Sequence, residues 1–144
     1  MATTIQSRRG RVSSSIAVKA PCVVATNAPI TLNGEQTVNS VAVTDGDRVL
    51  VKDQADASEN GVYYVTTSDW VRDVDFNSGD DIVYGTIVPI SEGNWYELTT
   101  NVDTFTIGTT NLNFAVINIV PIGIDAATAL ARANTAIGLA IIGL

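Results

Sequence analysis

The chain has 144 residues, enough for one domain with short appendages and a core that needs no disulfide framework. Charged residues make up only 16%, against about 25% in average soluble proteins, while 46% are hydrophobic and mean hydropathy is +0.23, so part of the surface is expected to be covered by other copies or a larger assembly. The absence of histidine and the single cysteine, Cys22, exclude Ser-His-Asp and Cys-His nucleophiles, His-containing zinc sites, thiolate clusters and an intrachain disulfide, and a net charge of −7 makes nucleic acid a poor partner.

Residues 1–17 are rich in Thr, Ser and Arg and lack periodicity, which predicts an extended basic arm. Arg8, Arg9, Arg11 and Lys19 supply half of the eight basic residues and all precede the first acid, Glu35. Such an arm is either a solvated tail or a segment that docks on an acidic protein surface. No apolar stretch follows the arginines as a secretory signal requires, and the longest apolar run, residues 137–144, is too short to span a bilayer, so neither secretion nor membrane insertion is expected.

From residue 18 to 120, short β-branched and aromatic runs alternate with turn signals: CVVAT, ITL, VAV, RVLV, VYYV, IVYGTIVPI, NWYEL and LNFAVI. That spacing predicts an all-β domain, a small antiparallel β-sandwich or barrel. Asn33-Gly34, Asp45-Gly46, Asn60-Gly61, Ser78-Gly79 and Gly93-Asn94 are the expected positive-φ turns, and Pro29 and Pro89 should sit at strand starts, edges or bulges. The clearest element is a hairpin over residues 46–65, with Arg48 to Lys52 as one strand and Val62 to Val65 as the other. Cys22 is expected to be a buried small apolar residue. The aromatic residues, Tyr63, Tyr64, Trp70, Phe76, Tyr84, Trp95, Tyr96, Phe105 and Phe114, are expected to pack in the core or at interfaces.

Residues 121–144 change character. Asp125 stands as an N-cap before AATALARANTAIGLAIIGL, which predicts a short helix after a linker. With Leu130, Ile137 and Leu144 at d, the residues Ala127, Asn134 and Ile141 fall at a, a short coiled-coil seam with a polar residue at one a site, although Gly138 and Gly143 weaken it. The uncapped apolar end is expected either to continue into a longer chain or to close a short complete protein.

Candidate chemistry is sparse, and no cofactor is expected. GxGxxG and GxxxxGK[ST] phosphate loops are both absent. Asp69, Asp73, Asp75, Asp80 and Asp81 form the densest acid cluster, which would serve a glycosidase only if two carboxylates faced one another across a cleft. The Asp73-x-Asp75-x-Asn77 spacing is similar to a calcium loop, but Gly79 is one place late and Tyr84 replaces the final Glu. Arg48, Lys52 and Arg72, near Asp47, Asp53, Asp69 and Asp73, are expected to make surface ion pairs.

One ordered string carries a family resemblance: GDRVLVKDQ at 46–54, ENGVYYV at 59–65, Trp70-x-Arg72, then Asp75-Phe76. It is joined by APCVVATNAPITLNG at 20–34, GTIV at 85–88 and the run 95–114. Together these resemble a β-rich module near the N-terminus of tailed-bacteriophage tail fibres and tailspikes, over residues 18–117. The resemblance brings no catalytic residues. It implies a non-enzymatic virion protein of the phage tail that anchors a receptor-binding appendage. The arm would contact a tail, adaptor or baseplate protein, the assembly would be a homotrimer, and downstream parts would touch the host-surface receptor. Two alternatives stand beside this: a carbohydrate-binding β domain in which Trp70, Trp95 or Tyr96 stacks on host glycans, and the anchor of a polysaccharide-degrading tailspike whose catalytic part is not in this chain.

Overall fold

The hairpin at residues 46–65 is the centre of the fold. A computed structural model describes residues 18–91 and 93–118, in which the strands are β1 (Val24–Ala25), β2 (Gln36–Val38), β3 (Val41–Val43), β4 (Arg48–Val51), β5 (Gly61–Tyr64), β6 (Val71–Arg72), β7 (Ile87–Val88), β8 (Trp95–Leu98) and β9 (Phe114–Ile117). They form a four-stranded sheet in the order β1-β4-β5-β6, a β2-β3 hairpin and a three-stranded sheet β7-β8-β9. In the central hairpin Val49 lies opposite Tyr63 and Leu50 opposite Val62.

All four residues of β4 are buried because both faces of the central sheet are covered. Side chains alternate, so Leu50 and Val62 point one way and Val49, Val51 and Tyr63 the other. On the first face Leu50, Val62, Ala25 and Phe76 pack with Val88 and Leu98 of the third sheet and with Leu112, while Tyr96 and Phe114 are half-buried against them. On the second face Val49, Val51, Tyr63 and Val24 pack with Val38 and Val43 of the β2-β3 hairpin and with Trp70. Each fully buried side chain such as Leu50 or Leu98 contributes about 1.5–3 kcal/mol of burial free energy.

The β prediction holds at this coarse level, and the finer one needs correction. Among the described residues there are three small sheets, no closed barrel and no α-helix. Nor is the pairing purely antiparallel, since β1 joins β4 in parallel and isolated parallel bridges connect Val18 with Ile87 and Cys22 with Ile90. Residues 18–25 therefore run first along β7 and then along β4, lacing two sheets together. A continuous antiparallel meander is lost because this segment takes an edge that a barrel would need for closure. The predicted helix at 121–144 and the arm at 1–17 lie outside the described residues.

Turn chemistry explains most boundaries. Gly46 (φ 93°) closes the hairpin approach with its N–H on the Val65 carbonyl, 2.9 Å, a left-handed conformation open to glycine at little cost. Gly34 and Gly61 also have positive φ, whereas Gly79 and Gly93 do not. Gly79 is required for another reason: a Cβ there would lie 2.0 Å from the Phe105 carbonyl oxygen. An unforeseen turn joins β2 to β3, where Asn39 (φ 45°) and Ser40 (φ 69°) both adopt positive φ, as a two-residue I′ hairpin turn demands. Pro89 directly follows β7, where its missing N–H interrupts no ladder.

Candidate functional site

The densest polar constellation is a buried ion cluster built around Arg48. Its Nη1 pairs with the Asp73 carboxylate, its Nη2 lies 3.0 Å from Asp75 Oδ2, and its Nε donates to the Ala20 carbonyl at 3.1 Å. Arg48 is 8% exposed and Asp73 2%, so the expected surface ion pair is instead an interior one. Asp73 directly follows β6 and donates its own N–H to the Val62 carbonyl at 2.9 Å, while its Oδ1 accepts from the Asp75 N–H at 3.1 Å. Beside it the buried Lys19 ammonium donates to the Asp81 carbonyl. Two cations thus tie the N-terminal segment, the central sheet and the 73–81 loop together.

The other sequence-predicted pairs divide. Lys52 does pair with Asp53, at 2.8 Å, and lies 5.1 Å from the centre of the Tyr96 ring. Arg72 makes no such pair among the described residues: it donates to the carbonyls of Asn60 and Ser58, each at 2.8 Å, with its guanidinium 4.9 Å from the Tyr63 ring centre. Asp47 turns its carboxylate back to the Thr44 N–H at 2.8 Å.

Burial and charge act in opposition in this cluster. Desolvation works against the Arg48 charge, but the Asp73 hydrogen bond and the nearby carboxylates outweigh it and raise its pKa. Burial likewise works against the Asp73 carboxylate, yet hydrogen bonds from the Asp75 N–H and from Arg48 hold its pKa below the ordinary 3.8. Desolvation raises Asp75 and lowers Lys19. The signs for stability are therefore opposite. Asp73 contributes stability that is present above its unfolded value and lost as pH falls through its lower folded value; Asp75 contributes stability present below its unfolded value and lost as pH rises through its higher folded one. Denaturant midpoints measured from acid to neutral pH should show Asp73→Asn removing the stabilisation at neutral pH. Asp75→Asn should leave neutral stability equal or higher, and a loss as large as that of Asp73→Asn would contradict the assignment.

The remaining acids do not converge. Asp69 accepts from Asn33 Nδ2 at 2.7 Å, and Asp81 Oδ2 accepts from the N–H groups of Asn77 (3.2 Å) and Ser78 (2.9 Å) in a capping box. Asp73 and Asp75 face Arg48 rather than each other across a cleft, and among the described residues no group of three His, Cys, Asp or Glu side chains is placed to hold a metal ion. Cys22 is fully buried, as expected, and burial pushes its thiol up to about 12.

Asn60 has a second role that its Asn-Gly turn signature concealed. Its side chain accepts from the Gln54 N–H at 3.0 Å and donates to the carbonyls of Lys52 (3.1 Å) and Leu112 (2.8 Å) while only 2% exposed. It joins the hairpin loop to the segment before β9. Asn60→Ala leaves those groups unsatisfied and should cost about 1–3 kcal/mol, read as a lowered denaturant midpoint with unchanged slope. A change below about 0.5 kcal/mol, typical of surface positions, would mean that water replaces the amide.

The rings proposed for sugar stacking differ in exposure. Trp70 is buried, its Nε1 donating to the Gly34 carbonyl at 2.8 Å, which removes it as a platform. Tyr96 is half-buried and Trp95 is exposed. Tyr96 borders a shallow concavity of about 490 Å³ with Val41, Ile90 and Asn94 among its walls, and a groove of about 890 Å³ lies between residues 78–84 and 102–105, lined by Asp80, Val83, Tyr84, Val102, Asp103 and Phe105 among others. Sequence reasoning missed it because its two walls are twenty residues apart in the chain and meet through Gly79 and Phe105.

Of the predicted docking residues, Lys19 belongs to the body, where its ammonium is engaged, while Arg8, Arg9 and Arg11 lie outside the described residues. The seam residues Leu130, Asn134, Ile137, Ile141 and Leu144 lie outside them as well. No protein-family model matches the chain, and searches of curated proteins and of solved structures find no match.

Proposed function

We propose that this chain is a structural, non-enzymatic module of a phage tail fibre or tailspike that fastens a receptor-binding appendage to the tail. The ordered string from residue 46 to 76 carries the reading. Its members include Arg48, Asn60, Trp70, Asp75 and Phe76, which help to bind the sheets and loops to one another. A resemblance carried by such residues speaks for a shared scaffold, since each of them makes contacts within the body. Exposed Val71, Val74 and Tyr84, at 58, 75 and 58% exposure, fit a surface that is covered in an assembly.

In this reading the basic arm meets an acidic tail or adaptor protein, and the segment beyond the β domain passes into a trimeric shaft. Deleting residues 1–11 should spare folding and lower the number of fibres per particle, counted by quantitative protein analysis. Reversing the charges of Arg8, Arg9 and Arg11 should weaken incorporation more at low salt, where screening is least. Full incorporation of the arm-deleted protein would move the anchoring role to the β domain.

A further inference from the structure

Four cations occupy residues 18–118, and all four are engaged within the body: Lys19 on the Asp81 carbonyl, Arg48 on Asp73 and Asp75, Lys52 on Asp53, and Arg72 on two carbonyls. Asp103 in the groove at residues 78–84 and 102–105 pairs with none of them. The cations left in the chain are Arg8, Arg9, Arg11 and Arg132.

The chain enters the body beside this groove. Val18 bridges Ile87 and Cys22 bridges Ile90, both in parallel, so the described chain begins against the segment that follows Val83 and Tyr84. The Lys19 N–H on the Ile87 carbonyl (2.9 Å) and its ammonium on the Asp81 carbonyl fix that entry against the segment forming one groove wall. Arg11 lies seven residues before Val18 and Arg8 ten, a reach of about 23–33 Å of extended chain. The groove also presents exposed Tyr84, Val83 and Val102. Ile5 precedes the arginines and Val12 and Ile16 follow them, which gives the arm apolar side chains to cover those residues.

The geometry points to this groove as the seat of the chain's own basic arm, with the arginines of residues 8–11 against the carboxylates of Asp80 and Asp103 and the arm's apolar residues on Tyr84, Val83 and Val102. Tethering makes the contact intramolecular, at the millimolar effective concentration of a short linker. It is a property of the isolated chain and stands or falls independently of any attachment to a tail.

A spin label on Gly10→Cys in the full chain tests it, because Cys22 is fully buried with a raised thiol pKa and stays unlabelled. Amide signals of Val83, Tyr84, Val102 and Asp103 should be lost to paramagnetic broadening. They should return in Asp80→Asn/Asp103→Asn and in roughly 1 M salt, where the Debye length falls to about 3 Å. The rest of the spectrum of the double variant reports that it remains folded. Signals retained at these amides in the parent chain, or lost equally in the double variant, would overturn the proposal. So would broadening transferred to an unlabelled copy in a mixed sample, which would make the contact one between chains.

Discussion

Replacing Arg48 with methionine is expected to cost about 3–5 kcal/mol of folding stability, far more than the loss of an exposed ion pair. Arg48 is 8% exposed and faces Asp73, which is 2% exposed, so the substitution leaves a carboxylate in the interior without its ion-pair partner. It also frees the Ala20 carbonyl, which fastens the N-terminal segment. Urea denaturation at neutral pH measures the loss. Adding Asp73→Asn to Arg48→Met should restore part of it, because the unpaired charge is then gone; a double variant less stable than the single one would show that neutral hydrogen bonding, not charge, dominates. A cost for Arg48→Met below about 1 kcal/mol would place the cluster in contact with solvent after all.

Phe76→Ala should cost a similar amount, about 3–5 kcal/mol, by opening a cavity between two sheets. The Phe76 ring is fully buried, lies 6.1 Å from the Phe114 ring and packs in the core that joins Leu50 and Val62 to Val88 and Leu98. Its neighbour Val74 is 75% exposed, so Val74→Ala should stay within about 0.5 kcal/mol and serves as the control. Equal midpoints for the two variants would mean that the third sheet is held without the Phe76 contact.

What the sequence determined by itself was local: β-branched runs, the 46–65 hairpin, and the left-handed glycines at 34, 46 and 61. These depend on neighbours only a few residues away, where alternation and turn sterics leave few choices. The Asn39-Ser40 turn escaped because its residues tolerate positive φ without advertising it as glycine does. Tertiary structure alone decided the rest. Arg48 read as a surface cation until the 18–25 segment and the 73–81 loop closed over it, and Asn60 read as a turn residue until Leu112 arrived fifty-two positions later to accept its amide proton. Parallel pairing of β1 with β4 and the groove between residues 78–84 and 102–105 were likewise invisible, for the same physical reason: burial and long-range hydrogen bonding depend on which distant segments meet, and no local pattern of residue types records that choice.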